Sequence, residues 1–66
     1  MKYRFYFTIP NLKYHLDIDA DSVSGAKDDF KKLLGNTEYS IKQILNMTTG
    51  EVIYQSDDFE DFVNGK

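Results

Sequence analysis

The chain contains no cysteine and no tryptophan, a single histidine, a single proline and four scattered glycines in 66 residues. Without cysteine there are no disulfides, no thiol nucleophile and no thiolate zinc site, which fits a reducing, cytoplasmic setting. One histidine, His15, cannot build a multi-histidine metal centre. Gly25, Gly35, Gly50 and Gly65 stand alone, so no glycine-rich loop is available to cradle phosphate. No apolar run approaches the roughly 18–20 residues that span a bilayer, and Met1-Lys2-Tyr3-Arg4 is not followed by the apolar stretch of a signal peptide, so no membrane association is expected. Basic residues are outnumbered, 8 against 11 acidic, and the net charge of −3 argues against generic attraction to nucleic acid or anionic lipid.

What the chain does have is aromatic residues, five Tyr and five Phe, with 41% hydrophobic residues overall. That is enough to fold one small domain spanning 1–66, but a domain of this size is only marginally stable.

Periodicity outlines the elements. Tyr3, Phe5, Phe7 and Ile9 alternate with Lys2, Arg4, Tyr6 and Thr8, the two-residue repeat of a half-buried strand. Pro10-Asn11 breaks the run, after which Tyr14, Leu16, Ile18 and Ala20 alternate with Lys13, His15, Asp17 and Asp19. Residues 2–20 therefore read as a long antiparallel hairpin. The period then changes: Val23, Ala26, Phe30, Leu33 and Leu34 recur at helical spacing behind a cap at Asp21 or Ser22, and Gly35-Asn36 is the stop. Tyr39 to Met47 reads as a third strand whose adjacent Ile44 and Leu45 break the alternation, the signature of a bulge. Thr48-Thr49-Gly50-Glu51 turns the chain into a fourth strand, Val52-Ile53-Tyr54. Ser56 then caps a short helix with Phe59, Phe62 and Val63 on one side and Gly65 beyond its end.

The expected fold is α+β, in the order ββαββ with a terminal helix. A right-handed crossover puts the third strand beside the first, giving an antiparallel sheet ordered 2-1-3-4. Both helices are expected on one face, leaving the other bare. Phe5, Phe7, Leu16, Ile18, Phe30 and Leu33 are the expected buried cluster.

Charge is segregated. The first 16 residues carry Lys2, Arg4 and Lys13 with no acid, whereas acids concentrate at Asp28 and Asp29 and at Asp57, Asp58, Glu60 and Asp61. Acids at a helix start are stabilised by the macrodipole, the simplest account of Asp21, Asp57 and Asp58. A second account treats Asp28, Asp29, Asp57, Asp58, Glu60 and Asp61 as an acidic surface for a basic protein partner, because complementary potential governs partner choice. The bare sheet face presents Lys2, Arg4, Tyr6, Lys13 and His15. That set suits single-stranded nucleic acid, or a homodimer formed through the face or an exposed edge strand.

Asp17-x-Asp19-x-Asp21 with Asp28 in the twelfth position imitates a calcium loop, but Ser22 replaces the sixth-position glycine and the segment reads as a strand. Asp17 and Asp19 share a strand face with His15, yet no serine stands in a nucleophile-elbow context to complete a hydrolytic site. The reading is a binding protein rather than an enzyme, with no cofactor and no metal.

Ala20-Asp21-Ser22 followed by Gly25-Ala26-Lys27 and Phe30, together with Thr49-Gly50-Glu51-Val52-Ile53, resembles small open reading frames of phages and mobile elements of Gram-positive bacteria. The similarity covers about residues 14–54. It implies an accessory factor or inhibitor that acts by binding a host macromolecule.

Overall fold

The computed structural model describes residues 1–64. Strands β1 (Lys2–Ile9), β2 (Leu12–Asp19), β3 (Ser40–Asn46) and β4 (Val52–Gln55) form one antiparallel sheet ordered β2-β1-β3-β4, with helix α1 (Val23–Leu34) between the two hairpins and helix α2 (Phe59–Asn64) after the last strand. The strand order and both helices are as the sequence predicts.

The sequence signals act where they stand. Ser22 is the N-cap of α1, its hydroxyl accepting from the Gly25 amide at 3.2 Å, and Gly35 ends the helix at φ 58°. Gly50 takes φ 80° in the β3–β4 turn. The turn has a second organiser that composition does not announce: the buried Asn46 carboxamide oxygen accepts from the amides of Thr48 (2.9 Å) and Thr49 (3.2 Å). A bulge at Lys42 shifts the β1–β3 register between Tyr6 and Phe7, and another sits where β3 meets β4. The bulge at Lys42 sets Ile41 opposite Phe7 and Ile44 opposite Phe5, so that these two residues, three apart, share one sheet face, while Ile44 and Leu45 alternate in the ordinary way.

Tyr3, Phe5, Phe7, Ile18, Ala26, Phe30 and Ile44 form the core, with Phe30 stacked on Phe5 (ring centroids 4.6 Å apart) and edge-on to Phe7 and Tyr39. Two members of the expected cluster differ. Leu16 is only half-buried, because β2 is an edge strand with cover on one flank. Leu33 is 66% exposed. It lies on the flank of α1 that overhangs Asp17 and Ile18, beyond the last strand of the sheet.

The larger departure concerns α2, expected beside α1. Phe62 instead stands against Tyr6, Lys13 donates to the Phe62 carbonyl, and Lys42 pairs with Asp58, so α2 lies on the opposite sheet face. The cause is tertiary. After β4 the half-buried Phe59 and Phe62, with acids between them, meet the face that holds Tyr6 and two lysines. Ser56 precedes the helix as expected, but its hydroxyl donates to the Asp58 carboxylate at 2.7 Å rather than receiving a backbone amide. Gly65, read as the helix stop, lies outside the described residues.

Candidate binding surface

An α-helix with its side chains is about 10 Å wide and strands lie about 4.8 Å apart, so one helix covers two strands. A four-stranded sheet therefore needs two helices to close one face. Here each face has one. Helix α1 lies nearest β2 and reaches over β1 through Phe30, which leaves the β3–β4 half of its face open.

The opening is a groove of about 460 Å³ lined by Phe30, Tyr39, Ile41, Ile44 and Tyr54, with Lys27 and Lys31 along the α1 wall. Phe30 and Ile44 are buried beneath it, Tyr39 and Ile41 are half-buried, and Tyr54 is 46% exposed on the edge strand. Lys27 and Lys31 are four apart, one helical turn, and both stand on the same flank. The salt bridges among the described residues are Arg4–Asp17 and Lys42–Asp58, so neither lysine of the groove is neutralised. The result is an aromatic and aliphatic floor beside two ammonium groups that have no carboxylate partner among the described residues.

The sequence-predicted residues distribute differently. Lys2, Arg4, Tyr6, Lys13 and His15 do come together on one sheet face, as alternation requires, but that face is not bare. Arg4 faces Asp17 across the β1–β2 ladder and holds it with two hydrogen bonds, Nε to Oδ1 at 2.7 Å and Nη2 to Oδ2 at 3.0 Å. The pairing lowers the Asp17 carboxyl and raises the guanidinium, in both cases through that hydrogen-bonded contact first. Tyr6 lies between the rings of His15 (centroids 5.9 Å) and Phe62 (6.3 Å). Lys13 sits over the Phe62 ring with its Nζ 5.3 Å from the centroid, a cation–π contact. Lys2 stands opposite Asp19 in the ladder. A nucleic acid stacking on Tyr6 would have to displace α2.

The six acids do not form one surface. Asp28 and Asp29 ride on α1, whereas Asp57, Asp58, Glu60 and Asp61 belong to α2 and the turn before it, across the sheet. Asp58 is already occupied: Lys42 at 2.7 Å, then the Ser56 hydroxyl, hold its carboxyl below the usual range. Asp57, Glu60 and Asp61 remain exposed.

Asp17, Asp19 and Asp21 run along β2 and out of it toward α1 rather than around a loop, and no group of three or more potential ligands able to hold a metal occurs among the described residues. The groove was invisible in periodicity alone. Its only sequence signals are Lys27 and Lys31 at helical spacing beside Phe30, and the aromatic ends Tyr39 and Tyr54. No helix among the described residues is long and apolar enough to cross a membrane. No protein-family model, curated protein or solved structure matches this chain.

Proposed function

We propose that this is an interaction protein without chemistry of its own, which binds a protein partner through the groove between α1 and the β3–β4 half of the sheet. The observation that carries the reading is the unneutralised Lys27–Lys31 pair beside a floor of Phe30, Ile41, Ile44 and Tyr54. An apolar floor rewards burial of an apolar side chain, and the charge beside it selects what flanks that side chain. The partner that fits presents an aliphatic or aromatic anchor bordered by carboxylates, on a helix laid beside α1 where the sheet has room for one more. The resemblance to phage and mobile-element reading frames supports a role as an accessory factor or inhibitor, and it makes the partner a host protein. The exposed acids Asp57, Glu60 and Asp61 add steering toward a partner whose remaining surface is basic.

The test is affinity capture from host lysate, with and without nuclease, using the wild type, Tyr54→Glu and the double variant Lys27→Glu/Lys31→Glu, each first checked for native circular dichroism. A protein held by the wild type and lost by both variants supports the groove. Equal capture by all three overturns it. Material released by nuclease assigns the binding to nucleic acid instead.

A further inference from the structure

Strand β2 is an edge of the sheet, eight residues long and without a bulge. Met1 and Ala20 exchange both backbone hydrogen bonds, each at 3.0 Å. Because bonded and non-bonded pairs alternate along an antiparallel ladder, Leu12, Tyr14, Leu16 and Ile18 turn their peptide groups toward β1. Lys13, His15, Asp17 and Asp19 turn theirs outward. Natural sheets blunt such an edge by shortness, a bulge, a covering element or charged side chains. This one has charges, Lys13, Asp17 and Asp19, but of both signs, and exposed apolar side chains beside them: Leu12 at 63%, Tyr14 at 45% and, on α1, Leu33 at 66%. Leu33 and Ile18 line a recess of about 350 Å³ with Asp17, Asp29 and Lys32.

We propose that β2 pairs with β2 of a second copy about a two-fold axis at Leu16, joining two four-stranded sheets into one. Such an axis stands perpendicular to the sheet, so facing residues must share a sheet face, and outward peptide groups must meet outward ones. Centring on Leu16 satisfies both conditions. It sets Lys13 opposite the partner's Asp19, His15 opposite the partner's Asp17 and Tyr14 opposite the partner's Ile18, beside the recess under Leu33. Every cross-strand polar pair then joins a carboxylate to a cation or an imidazole, twice over by symmetry. Moving the axis to His15 still pairs Lys13 with the partner's Asp17, but it sets the two imidazoles against each other and leaves Asp19 facing the partner's Asn11; moving it to Asp17 sets the two Asp17 carboxylates against each other. Of these registers only the one centred on Leu16 gives all four of Lys13, His15, Asp17 and Asp19 a complementary partner. Existing contacts are compatible with it. The Phe62 carbonyl takes one of three Lys13 donors, and the Asp17 oxygens keep lone pairs beyond those given to Arg4. The groove by Lys27 and Lys31 lies on the other half of the sheet, so this association and the proposed partner binding succeed or fail separately.

Sedimentation equilibrium up to high micromolar concentration tests it, the expected mass being twice the 7.7 kDa of one chain. A mass of 7.7 kDa throughout overturns the proposal. His15→Pro removes one outward amide, which an edge strand tolerates in the monomer, and is expected to abolish the dimer while native circular dichroism is kept. Asp19→Lys is expected to weaken the dimer about tenfold, and Lys13→Asp/Asp19→Lys to restore it. A dimer indifferent to His15→Pro, or one that the charge exchange does not restore, also overturns the proposal.

Discussion

The ring of Phe62 stands edge-on to the ring of Tyr6, with centroids 6.3 Å and planes 63° apart. This contact, with Lys13 over the same Phe62 ring, holds α2 on the sheet face opposite α1. It converts a sheet with one bare face into a sheet with one helix on each side. Truncating Phe62 to Ala therefore releases α2 rather than opening a core cavity. The expected cost is about 1–2 kcal/mol, in line with a half-buried aromatic. The amides of 59–64 are expected to lose hydrogen-exchange protection while those of β1 keep theirs.

Phe30 and Leu33 lie one helical turn apart and are expected to behave oppositely. Phe30 is fully buried against Phe5, Phe7 and Tyr39, so Phe30→Ala costs about 3–5 kcal/mol, a large part of the stability of a small domain. Leu33→Ala, measured at concentrations low enough to keep the protein monomeric, stays within about 0.5 kcal/mol of the wild type because its side chain is exposed. Urea midpoints of the two variants are the check. A Leu33 effect as large as that of Phe30 contradicts the packing described.

Acid sensitivity is expected to trace to the two paired carboxylates. Arg4 lowers the Asp17 carboxyl, and Lys42 with Ser56 lowers that of Asp58. A carboxyl lowered in the folded state contributes stability above its unfolded pKa of about 3.9, and that contribution disappears as pH falls through the folded value. Stability is thus expected to be flat above about pH 5 and to decline below about pH 4. Asp17→Asn removes part of the decline, as measured by thermal unfolding between acid and neutral pH. Because both pairs are solvent-accessible, the effect is small and is reduced further by salt.

Gly35 and Gly50 both take positive φ, 58° and 80°, and a Cβ at either position would meet no atom within 4 Å. Substitution by Ala is therefore expected to cost backbone strain alone, about 1–3 kcal/mol each, because positive φ, and at Gly35 a ψ of −123° outside the left-handed helical region, disfavours any residue with a Cβ. The loss should be the same whether the new side chain is Ala or Ser, a pattern that denaturant titration distinguishes from a steric clash.

Most of the sheet was legible because its rules are local. Tyr3-Arg4-Phe5-Tyr6-Phe7 alternates, Ser22 and Gly35 bracket a helical repeat, and Gly50 marks a turn, so strand order followed from handedness. The association of Lys2, Arg4, Tyr6, Lys13 and His15 on one face was legible for the same reason. The capping role of Asn46 and the pairing of Arg4 with Asp17 were harder to read, because both depend on cross-strand register, which periodicity leaves open by steps of two.

Local pattern thus determined which residues form strands and helices, where they stop and which side chains share a face, because those properties depend on neighbours within about one turn or one pleat. Tertiary structure alone decided which face α2 covers. An amphipathic segment as short as Phe59–Asn64 fits either side of a sheet, and the choice fell to Tyr6, Lys13 and Lys42, contributed by three strands. The same choice left no second helix over Ile41 and Tyr54 beside Lys27 and Lys31, so the groove exists because α2 packed elsewhere.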